Sequence, residues 1–568
     1  MGGKTGNQKI IEQFLADGMN HMFGNPGTVE QGFLDAIKDY PEMKYILTLQ
    51  ESIAVLMADG YARAAQKPTL VQLHSSPGIG NAVGALYQAK RGHSPLVVIG
   101  GDAGVQYMNM DAQMANDLVA MMAPVTKYST IVTDSRSLLR TIRKATKIAA
   151  TPPMGPVYIC LPMDILDQIN NEEVYPVTIP STRVIPEMEL IIQSADILLN
   201  AKKPMIFIGD GVAYSGAAKE LTQVAELLGA EVYGVDFGDF IMDNTHPLYQ
   251  GTTGHMFGSS SYSITSKGDA NLIVGTYMVP EVFPNLDDIY AKGSKIIHID
   301  LNSYEIAKNH RVDIGIVSDP KLSLKALAGY LNSIITPEQR TLAKIRMEEI
   351  GKTKAERIGA EKEADKKNKG GNPLHMSEFM EILAERLPEN TVIFDEALTN
   401  SPPVSRYFPA KNPGDIFITR GGSLGVGIPG AIGVKIHHPE KTVIGFTGDG
   451  GSMYTIQALW SAVRHKTGAK FIVCNNGSYK LLQLNISQYW KERDISKHDF
   501  PLSFDLSYPP FQFDQIAKAL GVDAVRVEKS EDIVPAIEKM LSDDIPFLID
   551  LVLEREAHPH DVGVKCGQ

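Results

Sequence analysis

The sequence predicts an α/β protein of three doubly wound parallel-sheet domains, and three observations carry that prediction. Short apolar runs alternate with helical periodicity almost throughout, the pattern of parallel strands covered by helices. At 568 residues the chain is too long for one core, and ordinary domain sizes argue for about three. One charged stretch, 336–373, breaks the alternation; it is nearly free of large apolar residues after Ile358 and ends in Gly-Gly-Asn-Pro.

Taken in order, the first domain is expected over residues 1–180. It contains the buried strands "TLVQLH" (69–74), "PLVVIG" (95–100) and "PVYICLP" (156–162), and the helix "ESIAVLMADGYARAA" (51–65). A second domain over 185–335 holds "PMIFIGDG", "ANLIVGT" and "SKIIHIDLN". Residues 336–372 read as a surface helix running into an exposed linker. The last domain, 373–568, resumes with "TVIFDEA", "KTVIGFTGDG", "AKFIVCNN", "DAVRVE" and "PFLIDLVLE". The first and last domains look like the same kind of sheet.

Composition narrows the function. Lys plus Arg is 54 against 66 Asp plus Glu, a net charge of −12; nucleic-acid and anionic-membrane surfaces need the opposite balance. No apolar run is long enough to span a bilayer. The amino terminus has no apolar signal core, and Gly6 fails the myristoylation pattern. Three cysteines, Cys160, Cys474 and Cys566, with no CxxC spacing, fit reduced thiols in a cytoplasmic protein.

The most informative stretch begins at Phe446: a strand, then Gly448-Asp449-Gly450, a helix marked by Met453, Ile456, Trp460 and Val463, and a second strand ending at Asn475-Asn476. In parallel sheets ligands sit at the carboxyl ends of strands, and glycines there let backbone approach a phosphate closely. Neighbouring strand ends would bring Asp449 to Asn476. A carboxylate, an amide oxygen and a backbone carbonyl make a hard site suited to Mg²⁺ or Ca²⁺, completed by phosphate oxygens and water.

GDG, about two dozen residues, then NN resembles the signature of the thiamine-diphosphate-dependent enzymes. The resemblance covers nearly the whole chain and is closest to the benzoylformate decarboxylase and acetolactate synthase branch. Its motifs here are "FGNPGTVEQGFLDAI" (23–37), "LQESIAVLMADGYARA" (49–64), "LHSSPGIGNAVGAL" (73–86) and "GGSLGVGIPGAIGV" (421–434). It implies a pyrimidine-binding domain, a middle domain and a diphosphate-binding domain, in that order. It also implies that Asp449, Asn476 and the Ser478 carbonyl hold the metal. Thr399, Asn400 and Gly422 would lie near the diphosphate, with Asn25, Pro26, Gly27, Gly448, Gly450, Gly451, Ser452 and Tyr479 as further cofactor contacts. Leu424 would prop the cofactor into its bent form. Glu51 would drive tautomerisation of the aminopyrimidine; a first-turn glutamate would also complement a helix dipole. Because this acid and the metal site lie in different domains, the resemblance implies a homodimer or homotetramer with active sites between subunits.

His74 matches the branch's active-site histidine and could pass protons near neutral pH. Thr28 stands where the benzoylformate decarboxylases have a serine. Their second histidine has no counterpart in "GTYMVPEVFPNLDD" (275–288), and Ile418 and Asn485 stand at positions matched to ring-contacting aromatics, which argues against benzoylformate itself. Residues 481–512 mix aromatics with charge and fit a lid, in which Glu492 is a candidate proton carrier. The tail "EREAHPHDVGVKCGQ" fits either a segment folded over the site or a loose terminus. "IGDGVAYSG" (208–216) carries GxG without the full dinucleotide fingerprint, so a vestigial nucleotide site in the middle domain stays open. The expected activity is a Mg²⁺-dependent non-oxidative C–C lyase, a 2-oxo acid decarboxylase able to ligate an aldehyde. Acetolactate-type synthesis, 2-hydroxyacyl-CoA cleavage and a flavin- or NAD-linked oxidoreductase are the alternatives.

Overall fold

The computed structural model describes residues 3–235, 239 and 241–555. It contains three six-stranded sheets. The first comprises β1 (His21–Gly24), β2 (Lys44–Leu47), β3 (Thr69–Leu73), β4 (Leu96–Asp102), β5 (Tyr128–Ile131) and β6 (Val157–Pro162), all parallel. The second comprises β7 (Pro204–Ile208), β8 (Glu231–Gly234), β9 (Tyr249–Thr252), β10 (Ala270–Val274), β11 (Lys295–Asp300) and β12 (Ile314–Val317), again parallel. The third comprises β13 (Thr391–Glu396), β14 (Ile416–Ile418), β15 (Thr442–Gly448), β16 (Lys470–Asn475), β17 (Asp523–Val527) and β18 (Phe547–Val552), parallel throughout. Every residue of β3, β7, β10, β13 and β16 is buried, as strands covered by helices on both faces require.

The order β2-β1-β3-β4-β6-β5 in the first sheet recurs in the third as β14-β13-β15-β16-β18-β17. The middle sheet instead runs β12-β11-β10-β7-β8-β9, the strand order of the dinucleotide-binding doubly wound fold. In the matched pair the connections reverse direction between β1 and β3 and between β13 and β15. Crevices at such switch points are where doubly wound sheets bind ligands.

The first and third sheets share one hydrophobic core, in which Ile53, Met57 and Leu86 pack with Phe394, Phe417 and Ile432. The helices Glu51–Ala65 and Gly427–His437 touch backbone to backbone. A Cβ on Gly60 would lie 2.2 Å from the Gly430 carbonyl oxygen, and one on Gly433 only 1.9 Å from that of Met57. Any side chain at either position would force the two domains apart.

The charged stretch forms a 29-residue helix, Pro337–Asp365, started by a capping box between Thr336 and Gln339. It is anchored where Lys354 donates to the carbonyls of Asn244 (2.7 Å) and His246 (2.8 Å) and where Asp365 accepts from Arg406 at 2.7 Å.

Two expectations need correction. The single helix after Gly450 is broken into Asp449–Thr455 and Ala458–Arg464. Met453 and Val463, expected on its apolar face, are 41% and 37% exposed, whereas Ala458, Leu459 and Ala462 are buried. The break re-aims the second half, so one periodicity cannot describe both. Residues 481–512 are also more regular than a loop, since Lys480–Glu492 is helical. Polar Lys480 and Gln483 share its buried face with Trp490, which hides the periodicity. Trp490 then stacks on Phe500, ring centroids 5.6 Å apart. The tail beyond Arg555, with Cys566, lies outside the described residues.

Candidate active site

The switch point of the first sheet gathers a carboxylate and an imidazole. Glu51 opens the helix Glu51–Ala65, whose start is fixed by the Gln50 side chain accepting from the Ile53 amide at 3.2 Å. Its carboxylate is buried, and each oxygen has its own amide donor: Asn25 Nδ2 at 3.0 Å from the loop after β1, and Asn81 Nδ2 at 3.0 Å from the helix Ser76–Arg91. Both carboxylate oxygens thus accept an amide N–H. His74 follows β3, and its Nδ1 lies 3.1 Å from Glu30. Glu30 also accepts the Gly27 amide at 3.0 Å. Burial raises the Glu30 pKa, while His74 and two backbone amides pull it back. Gly27 fits only as glycine, since a Cβ there would lie 2.1 Å from the His74 ring. Pro26 and Thr28 are exposed at the tip of the same loop.

The switch point of the third sheet gathers the second group. Asp449 accepts from the amides of Gly450 (2.7 Å), Asn476 (3.1 Å) and Gly477 (2.6 Å). Burial lifts its pKa to about 6 against those backbone donors. Asn476 Oδ1 accepts the Ser478 amide at 3.0 Å, the Ser478 hydroxyl accepts from Gln483 at 2.8 Å, and Tyr479 packs on Gly450. Ser452 is fully buried and donates to the Gly448 carbonyl at 2.7 Å. Thr399 and Asn400 are buried on the turn after β13. Gly421, Gly422 and Gly425 all take left-handed φ (+63°, +74° and +82°), a conformation that favours glycine. A Cβ on Gly422 or Gly448 would meet no atom within 4 Å, so both backbones border open space. Leu424, in the same loop, is half-buried.

This second group fits a diphosphate with a hard cation: an open, glycine-bordered cradle at strand ends, beside a buried carboxylate, an amide oxygen and a carbonyl. Among the described residues no three His, Cys, Asp or Glu side chains gather into a metal cluster.

The two groups lie at opposite ends of one chain. Glu51 and His74 sit beside Gly78, at the start of the helix Ser76–Arg91, whereas Gly421 packs on Gln88 and Arg91 near its end. By the helical rise Gly78 and Gln88 are about 15 Å apart along that helix. Glu492 joins neither group: it is exposed, bonded to Gln488 at 2.9 Å, at the far end of a helix about 18 Å long by the same rise.

The middle-domain turn is filled by protein. A Cβ on Gly211 would lie 2.4 Å from Gly275 Cα. Asp210 pairs with Arg420 and with His93 (2.9 Å). Burial alone would raise the Asp210 pKa, but these partners hold it down at about 2. The start of the helix Asp210–Ser215 thus faces its own carboxylate.

Sequence reasoning missed Glu30, Asn81 and Glu396. Glu30 and Asn81 lie inside the quoted motifs without a periodicity to single them out. Glu396 ends a strand that otherwise reads as core.

Comparison with known proteins matches three segments of the chain. Residues 4–121 match the N-terminal TPP binding domain of thiamine pyrophosphate enzymes, residues 191–327 the central domain, and residues 398–551 the C-terminal TPP binding domain. The chain is 28% identical to benzoylformate decarboxylase of Pseudomonas aeruginosa over 557 residues, 96% of this chain and 98% of that one. It is also 28% identical to the acetolactate synthase large subunit of Lactococcus lactis over 564 residues, 98% of this chain and 93% of that one. The structure superposes on the thiamine diphosphate-dependent 4-hydroxybenzoylformate decarboxylase of Rhodococcus jostii with a TM-score of 0.83 at 25% identity, covering 98% of this chain and all of that one. Both switch-point groups fall within the two matched TPP-binding domains, so this protein belongs to the family of thiamine-pyrophosphate-dependent enzymes.

Proposed function

We propose that the protein is a Mg²⁺-dependent 2-oxo acid decarboxylase with carboligase capacity. The observation that carries this reading is Glu51: a buried carboxylate held at both oxygens by Asn25 and Asn81, on the same crevice as His74. Thiamine diphosphate supplies, when bound, the nucleophilic carbon and the electron sink that cleavage beside a carbonyl needs. The chain's residues do the rest. Asp449, Asn476 and the Ser478 carbonyl would hold Mg²⁺ beside the diphosphate cradle, and Leu424 would support the cofactor from its half-buried loop. Glu51 would hold and release a proton beside the aminopyrimidine ring. His74, its Nδ1 facing Glu30, has Nε2 left to move protons to and from the substrate.

Glu51 lies at the start of the helix Ser76–Arg91 and the Gly421 loop of the second group packs near its end, which supports a site assembled from two copies, Glu51 from one and Asp449 from the other. A homodimer is then the smallest active unit.

A second reading, acetolactate-type carboligation, is favoured by the middle-domain segment 275–288. It has no histidine and exposes Val282 and Phe283, 56% and 57% accessible. An apolar wall without a histidine suits a second carbonyl substrate better than rapid protonation. Incubating the purified protein with 2-oxo acids, alone, with aldehydes and with 2-hydroxyacyl thioesters, and following product mass, tests both readings. Aldehyde plus CO₂ from a 2-oxo acid supports decarboxylation, acyloin products support ligation, and turnover of thioesters alone contradicts both.

A further inference from the structure

We propose that Glu396 is a positioning residue that locks the Leu424 loop against the Asp449 strand end, so that the two cofactor-binding loops of the third sheet keep one geometry. The proposal rests on the reading that these loops contact thiamine diphosphate.

Glu396 is the last residue of β13, the strand beside the switch-point crevice, and is 1% exposed. One carboxylate oxygen accepts the Gly425 amide at 2.5 Å, and the other accepts the Gly427 amide at 2.6 Å. The Thr447 hydroxyl donates to it from β15 at 3.2 Å. A Cβ on Gly451 would come within 2.9 Å of it, so the turn carrying Asp449 packs directly on this carboxylate. None of its three donors is a cation. A buried carboxylate without a countercharge is expensive, and burial pushes its pKa up to about 7. An apolar residue would fill the same space at lower cost if packing were the only need.

What the carboxylate adds is geometric. Gly425 and Gly427 flank the turn into the helix Gly427–His437, and the left-handed Gly425 has no side chain of its own to fix it. Their two amides and the β15 hydroxyl come from different segments that share Glu396 as a hydrogen-bond acceptor. The Thr455 hydroxyl closes the same turn from the other side, donating to the Gly425 carbonyl at 2.7 Å. Leu424 and Asp449 are thereby held to a common reference on either side of the cradle.

The test compares full-length wild type, Glu396→Gln and Glu396→Asp. Thiamine diphosphate binding with Mg²⁺ is followed by calorimetric titration, and the cofactor-free proteins by hydrogen–deuterium exchange. A glutamine presents an N–H₂ group to one of the amide donors, so Glu396→Gln should weaken cofactor binding about tenfold or more, the scale of lost charge-assisted hydrogen bonds. Exchange should accelerate in residues 421–427 and not in the middle sheet, and Glu396→Asp should recover part of both effects. A folded Glu396→Gln with wild-type cofactor affinity overturns the proposal, as does uniform loosening of all three sheets. Should Glu396→Gln fail to fold, Thr447→Val removes one donor at constant shape. About threefold weaker binding is then expected, and unchanged binding overturns the proposal. Wild-type protein that binds the cofactor but cleaves no 2-oxo acid would contradict the proposed reaction and leave this inference standing.

Discussion

Asp449 accepts the backbone amide of Asn476 at 3.1 Å across 27 positions of sequence, so one carboxylate ties together the ends of β15 and β16. Asp449→Ala should abolish Mg²⁺-dependent retention of thiamine diphosphate. Desalting the loaded protein and assaying the retained cofactor checks this. Retention at the wild-type level would place the metal elsewhere.

The role proposed for Glu51 is proton exchange, not binding. Glu51→Gln keeps the shape but loses the titratable oxygen, and turnover should fall by about 10²–10⁴, the usual range for a positioned acid–base group. Cofactor affinity should change little, and calorimetric titration of the variant reads it directly.

His74 faces Glu30 through Nδ1, which orients the ring. His74→Ala should slow product formation more than substrate addition, and stopped-flow spectra with rapid quench separate the two. Glu30→Gln should slow the same step, because the ring loses the carboxylate that orients it.

His298 gives a stability prediction. It is 2% exposed within β11, and burial lowers its pKa to about 4 from 6.5, with the Thr276 carbonyl opposing. The unfolded chain therefore binds the proton better. Stability is full above about pH 6.5 and falls as pH drops toward about 4. Between pH 7.5 and 5 this one group should remove on the order of 2 kcal/mol. Thermal melts of wild type and His298→Gln across that range check it: the variant should lose less stability on acidification.

Much of this was legible in the sequence because it is periodic or glycine-marked. Buried strands read as apolar runs, and the "GDG" and "NN" at the ends of β15 and β16 announced a shared site that the Asp449–Asn476 bond realises. The helix break at 456–457 was not legible, because Met453 and Val463 are apolar yet exposed. Nor was the helix Lys480–Glu492, whose buried face carries Lys480 and Gln483. Glu30, Asn81 and Glu396 escaped for another reason. Each acts on a group distant in sequence, and pairs such as Asn81–Glu51, 30 positions apart, exist only once the sheet is assembled.

The central claim is that the acid and the metal site meet between copies. Mixing Glu51→Gln with Asp449→Ala, each inactive alone, tests it most directly once native mass spectrometry shows subunit exchange. A mixed dimer holds one intact site and one doubly defective site, so random exchange should restore about a quarter of wild-type activity. No recovery in exchanged dimers would contradict the account.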